Sequence, residues 1–418
     1  MNNKIKLAVA GAVLSAASVA NAGIIIPAGD WTLDINGNVN AFATWSDADK
    51  TKGTAPTGGI AKVEDGIGEG STQDINTGLL PSWLGFTGTT RQNDVDVSFT
   101  ISFQPGASDN SATGDVLTPH HRQAFLTFGD KSWGTVKVGK DLGIFAGQAI
   151  LNDMTLLGVG GGASMTSGAR TSLGGIGTGY IYPAWKGQIS YTTPNMNGFS
   201  ATIGITNPNQ GAFGDAGSAA TSDIELYQDR FGIEGQAMYE WTGDIAGKVW
   251  ASFASYDVTG DVVNDATAVT SATSDSYTAD VYDIGVALNS GNLGLVAYYY
   301  DGDGVGTTLM GTNGAYANTS TNKFKKRDSD GGYIQATYVI PTGTKLGVTY
   351  GVSNLDNASG VAEATLVEKN ERWTVGAYHP LTKHLNLVAE YNKIESEGQS
   401  SANQTESDHF SLGAILFF

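Results

Sequence analysis

The chain has no cysteine, which excludes disulfides and thiolate metal sites. Beyond the first 22 residues no apolar run approaches the ~18 residues that a membrane-spanning helix requires. Basic residues are few. Lys and Arg number 23 against 41 Asp and Glu, a net charge of −18 that argues against nucleic acid as a partner and favours cations near the protein. Only five histidines are present, and none stands in a local signature with a nucleophile, so catalysis is not expected. His120 and His121 are adjacent, and a strand would turn them to opposite faces, a poor arrangement for a shared metal. No cofactor and no metal site is expected. Mean hydropathy is −0.13, a value that suits a soluble protein but equally a set of strands that alternate apolar and polar residues.

What is present points to the second possibility. Lys4 and Lys6, the small apolar run Leu7–Ala20 and the Ala20-Asn21-Ala22 site form an export signal, so residues 1–22 are expected to be removed and the mature chain to begin at Gly23. At the other end, Phe410, Leu412, Ala414, Leu416 and Phe418 alternate with His409, Ser411, Gly413, Ile415 and Phe417. One continuous apolar face ending on an aromatic residue suits the strand that closes an outer-membrane barrel, and Phe410, Leu412, Leu416 and Phe418 are its candidate closure and assembly signal. Trp31–Trp45 repeats the pattern, with Leu33, Ile35, Val39, Ala41 and Ala43 on one face and Phe42 as an exception on the polar one. Val95–Phe103 repeats it again.

Segments of this kind recur to about sixteen along residues 23–418, which predicts a single all-β domain, a transmembrane antiparallel barrel with an even strand number. The connections alternate in length. Pro341–Thr344, Leu381–His384, Ser290–Asn292 and Asn195–Gly198 are short; Ser46–Pro81, Asp257–Ser276, Asp301–Asp330 and Ile394–Ser407 are long and polar. Asp141–Pro183 differs from both, being glycine-rich and partly apolar through Ile144, Phe145, Ile150, Leu151, Met154, Leu156, Leu157 and Val159. Those side chains need a packing partner, and folding into the lumen supplies one. Polar residues on the inward faces, including Asp96, Ser98, Thr100, Glu234, Glu240 and Glu390, predict a lumen that holds water.

Several short segments, in order, carry a family resemblance. They are Trp83-Leu84-Gly85-Phe86-Thr87-Gly88, then Trp133 to Lys140, Leu151-Asn152-Asp153-Met154-Thr155-Leu156, Ile189 to Pro194, Tyr298 to Gly302 and Leu385 to Tyr391. With the signal and the terminal Phe418, the chain resembles the general diffusion porins of Gram-negative bacteria over nearly its whole mature length. The resemblance implies an outer-membrane homotrimer of sixteen-stranded barrels, surrounded by lipid and lipopolysaccharide and passing ions and small hydrophilic solutes. It implies a third loop folded inward, with basic wall residues facing loop acids. On that pattern Lys140 stands where the family has a wall arginine, Asp141 and Asp153 are the acids from residue 141 to residue 183, and Arg170 is the loop's arginine. Trp83 stands where the family commonly has arginine, and Ser190 at another basic position, so the basic wall is thinner than the family's. The acidic balance predicts a cation preference. A solute-selective channel and a surface adhesin are the alternatives.

The same residues have plainer roles open to them. Strict alternation with Val136 and Val138 turns Lys140 outward. Asp153 also suits a loop cap, and Arg170 a loop brace. Gly158-Val159-Gly160-Gly161-Gly162 looks like a phosphate loop, but no strand-to-helix context surrounds it and no Gly-Lys-Ser/Thr follows, so it reads as a flexible connection. Asp301-Gly302-Asp303-Gly304 lacks calcium-loop spacing and reads as an exposed acidic turn.

Overall fold

The computed structural model describes residues 23–49, 51–64, 70–107, 120–161, 171–207, 224–227, 229–262, 273–318 and 320–418. The export signal and Arg170 lie outside them. Sixteen long strands form the wall. In the first quarter they are β1 (Trp31–Ala48), β2 (Trp83–Gln92), β3 (Val95–Gln104) and β4 (His120–Asp130). Next come β5 (Gly134–Leu142), β6 (Trp185–Thr192), β7 (Phe199–Thr206) and β8 (Gly232–Trp241). The long pair β9 (Ile245–Val262) and β10 (Thr273–Ser290) precedes β11 (Leu293–Asp303) and β12 (Asp328–Val339). Last are β13 (Lys345–Leu355), β14 (Val367–Pro380), β15 (Leu385–Gly398) and β16 (Gln404–Phe417). Each pairs antiparallel with the next in sequence.

The first strand also pairs with the last, in a register that runs from Asn38↔Phe417 to Ala48↔Ser407. Gly37 and Phe418 exchange backbone bonds of 2.8 and 3.0 Å beyond the end of that register. The sheet is therefore closed, which removes the unpaired edges that an open sheet would present to lipid.

The apolar parity read from the sequence faces outward. Phe410, Leu412 and Leu416 are exposed, whereas Ser411, Ile415 and Phe417 point inward and are buried. Val39, Ile334 and Val375 are each about 60% exposed, a degree of apolar exposure that suits lipid rather than water. Aromatic side chains edge this band at both ends. Tyr191 donates to the Trp133 carbonyl at the end with the short turns, and Tyr391 donates to Asp408 at the other.

The strands run further at the long-loop end than their alternation shows. Much of Asp257–Ser276 and Ile394–Ser407 is strand, not loop: β9 and β10 stay paired out to Val262↔Thr273, and β15 and β16 to Glu397↔Gln404. The hydrogen-bond ladder needs only backbone, so it continues above the lipid band where both faces are polar and the hydrophobic signal has stopped.

Between β5 and β6 the third long loop turns into the barrel. It carries the short helix α1 (Gly147–Asn152) and a 3₁₀ turn, Met154–Leu157. Phe145, Ala146, Ala149 and Ile181 of this loop are fully buried against inward-facing Trp250, Tyr256, Tyr298, Tyr300 and Tyr333. Phe42, the parity exception of β1, faces inward and packs with Leu80, Met154, Val159 and Tyr378 in a second cluster that holds the far side of the loop.

Candidate functional site

The lumen is built by the loop and by the inward parity of each strand. Three wall carboxylates hold the loop backbone. Glu234 on β8 accepts from Ile144 N and Phe145 N at 2.7 and 2.9 Å. Asp283 on β10 accepts from Ala146 N at 3.3 Å and from the Tyr298 hydroxyl at 3.0 Å. Glu390 on β15 accepts from Val159 N at 2.9 Å and Gly160 N at 2.8 Å, with the Tyr378 hydroxyl donating to its other oxygen at 2.6 Å. Gln335 on β12 both accepts from Met154 N and donates to the Asn152 carbonyl.

The glycine run therefore does cradle an anion, and the anion is the barrel's own Glu390. A Cβ on Gly158 would come within 2.1 Å of the Glu390 carboxylate, and Gly160 has a φ of 63°, so glycine at both positions is what lets the backbone N–H groups approach. This corrects the reading of the run as a free connection. It also corrects the expectation that Glu234 and Glu390 face water: both are buried, at 0% and 1% exposure.

The sequence-predicted site residues disperse. Asp153 is buried in the loop, at 4% exposure, and takes the plainer of its two expected roles, the loop cap. Its Oδ1 caps the 3₁₀ turn by accepting from Thr155 N at 2.9 Å. Its Oδ2 accepts from the Tyr180 hydroxyl at 2.9 Å and lies 3.7 Å from Arg372 Nη2 on β14. Burial, with the Asp153 charge beside it, holds the Tyr180 hydroxyl well above the usual phenol range, so it donates as a neutral group. Asp141 faces inward at the end of β5, ion-paired to Lys137 and accepting from Gln123 at 2.9 Å. Lys140 is not brought to these groups. It shares the outward parity of Val136 and Val138, and its ammonium donates to the His121 carbonyl at 2.9 Å. Lys137, one parity step away, occupies the inward place. Ser190 lies opposite Lys137 in the β5–β6 register and donates to Gln188.

Trp83 is joined by an arginine that alternation misassigns. Ala124, Leu126 and Phe128 of β4 face outward, so Arg122 should too. A β-bulge intervenes: Ser102 pairs with Gln123 but Phe103 pairs with His121, which leaves Arg122 as the extra residue. A bulge re-aims side chains, and the Arg122 guanidinium lies over the Trp83 ring at 4.7 Å and the Trp185 ring at 4.5 Å. The bulge thus restores a cation to the thinned basic wall.

Inward parity alone would have found Lys137, Lys186 and Arg372. Lys186 on β6 is buried in an ion pair with Glu234, and its ammonium also contacts the Tyr256 hydroxyl at 2.8 Å. Arg372 braces the loop through Thr178 at 3.1 Å. No signal in the sequence marks the bulge at Arg122. Among the described residues, no group of three or more histidines and carboxylates is arranged to hold a metal ion.

A profile of Gram-negative porins matches residues 7–399 of the chain. The chain belongs to the Gram-negative porin family. Solved outer-membrane proteins share the fold at low identity. The outer membrane channel DcaP of Acinetobacter baumannii is 15% identical, with a TM-score of 0.68 over 95% of this chain and 100% of that one. OmpF of Salmonella typhi, solved with daunomycin, is 17% identical with a TM-score of 0.57 over 94% and 100%. OmpT of Vibrio cholerae is 16% identical with a TM-score of 0.55 over 94% and 100%, and OmpT is also known in a trimer form. No curated protein matches by sequence. Family and fold together make this porin an outer-membrane diffusion channel.

Proposed function

We propose that this porin passes ions and small hydrophilic solutes through the part of the lumen that the third loop leaves uncovered, with a weak preference for cations. The observation that carries the reading is the position of the loop. It covers inward faces of β8–β15, whereas Thr87, Ser98, Thr100 and Thr127 on β2–β4 remain partly exposed. These hydroxyls pair with one another across strands, Thr87 with Thr100 at 3.1 Å and Ser98 with Thr127 at 2.5 Å, forming a wall that water can wet.

The cation preference rests on where unpaired charge lies. Lumen charges largely cancel in the pairs Lys137–Asp141, Lys186–Glu234 and Arg372–Asp153. The acidic excess collects on the outer wall at the long-loop end, where Asp280, Asp301, Asp328 and Asp330, on the outward parity of Tyr282 and Ile334, border one depression with Asp356. A negative field around the rim of the barrel raises local cation concentration near the mouth and is screened by salt, over ~10 Å at 0.1 M. Lipid would cover the outward apolar band, lipopolysaccharide its acidic upper edge, and the likeness to trimeric porins supports a homotrimer.

Planar-bilayer recording of the detergent-folded protein under a KCl gradient tests this. The expected result is conductance entering in groups of three equal steps with a cation-selective reversal potential that shrinks as KCl rises. An anion-selective reversal potential at low salt would overturn the preference, and no conductance from folded, inserted protein would overturn the channel.

A further inference from the structure

The wall that the third loop leaves uncovered carries flat rings and hydroxyl pairs along one path. At its loop-side end Trp83 of β2 and Trp185 of β6 are partly exposed. Toward the short turns comes Phe125 of β4, partly exposed and on the inward parity of Thr127. Its cross-strand neighbours are Thr100 on β3 and Gly139 on β5, so the ring has a hydroxyl on one side and no side chain on the other. Thr87 and Thr100 bond at 3.1 Å, Ser98 and Thr127 at 2.5 Å, and Thr192 and Thr202 at 2.9 Å. In each pair one hydroxyl donates to the other, which leaves one hydrogen to give and lone pairs that accept. Two adjacent hydroxyls of a sugar need that combination, at about that spacing.

Charge along the same path is cancelled or covered. Lys137 pairs with Asp141 and lies over the Phe125 ring at 4.9 Å. Arg91, toward the short turns, bridges Asp96 and Asp130. Arg122 lies over both indoles, and its Nε and Nη1 are buried. Asp34 on β1 stands opposite Thr87 and repels an anionic solute.

From this arrangement we infer that the loop-free wall is a binding track for neutral carbohydrate. A pyranose ring has an apolar C–H face, which an aromatic ring can cover, and an edge of hydroxyls, which the Thr and Ser pairs take over from water. Each wall contact replaces a similar contact with water, so the net gain per contact is small and a sugar can pass from one to the next. The inference rests on the channel reading, names a solute class for it and adds a saturable step. Simple diffusion gives a flux that rises in proportion to solute, whereas a track gives one that levels off and slows ions while occupied. A sugar of several rings covers more of the track than a single ring and should be held more tightly.

The test uses D-glucose and maltotriose as probes and glucuronate as comparator, with the folded full-length porin. In bilayers in KCl, glucose should reduce single-channel current along a saturating curve, and maltotriose should do so at lower concentration. In detergent, tryptophan fluorescence should change along matching curves, because Trp83 and Trp185 line the track. Phe125→Leu keeps an apolar side chain and loses the flat ring, so it should move both curves about fivefold to higher sugar. Thr100→Val should move them about threefold. Tyr191→Phe, on the outward face, should leave them in place. A current that falls only linearly, as viscosity dictates, and alike in every variant overturns the track while leaving the channel standing. Glucuronate acting on the fluorescence at the same concentrations as glucose overturns the neutral assignment. Fluorescence saturation without any conductance supports the track and sinks the channel reading. If Phe125→Leu does not fold, Thr100→Val decides, since an unshifted curve contradicts the hydroxyl contacts.

Discussion

The two halves of the barrel wall have the same backbone and different insides. On β2–β4 the inward residues include Thr87, Ser98, Thr100 and Thr127, partly exposed, whose hydroxyls bond across the strands. On β8–β15 they include Trp250, Tyr256, Tyr298, Tyr300, Tyr333 and Tyr378, each at most 5% exposed, and among them stand the carboxylates Glu234, Asp283 and Glu390 that bind the loop. The difference shows that an inward polar residue has two fates in a porin. In one half it meets water. In the other it meets backbone N–H groups of a loop that brings its own apolar side chains, and the wall becomes the second layer of a hydrophobic core. Buried carboxylates are stable there only because each accepts from several donors.

The contrast can be broken from the loop-bearing side, and the largest effect should follow loss of Glu234. Glu234→Ala strands Lys186 in a buried place and frees Ile144 N and Phe145 N, at a cost of about 3–5 kcal/mol. Urea unfolding in detergent would measure it, and a cost below that of a surface substitution would show that the loop is not held there. Glu390→Ala should come next, at about 2 kcal/mol for the lost acceptor of two backbone N–H groups and the Tyr378 hydroxyl. Its loop should be looser, so single-channel current should become larger and noisier; unchanged current would mean that this part of the loop does not border the pore.

Gly158→Ala sharpens the comparison. It keeps Glu390 and only puts a methyl group against it, with an expected cost of about 1–3 kcal/mol and the same direction of change in current. The smallest effect belongs to the hydroxyl wall. Thr100→Val removes one cross-strand hydroxyl contact at a wetted position and should stay within about 0.5 kcal/mol of the parent in urea unfolding. A large loss there would mean that the two halves are not different in the way described.

The fold was legible to a high degree. Every barrel strand shows its apolar parity, and the closing strand is the plainest of them, because lipid on one side imposes a period of two on each outward face. Strand ends were not legible, since the ladder of β9 and β10 outlasts the lipid band and needs no apolar residue to continue. The inward loop was legible from apolar residues in a connection that had no other use for them. The site was legible only in part. Lys137 and Asp141 follow from parity, but Arg122 does not, because one extra residue in β4 reverses its side and a bulge leaves no mark in composition. The thinned basic wall inferred from Trp83 overlooked this arginine, which that same tryptophan helps to hold.

What the sequence determined by itself was the barrel: which residues face lipid, how many strands close and where the ring joins, all consequences of local alternation and short turns. The tertiary structure alone decided the interior. Glu234 lies 90 residues from Ile144 along the chain, and Glu390 lies 231 from Val159. Contacts at that separation are set by how the loop threads the ring, so whether a given inward carboxylate lines water or binds backbone cannot be read from its neighbours in sequence.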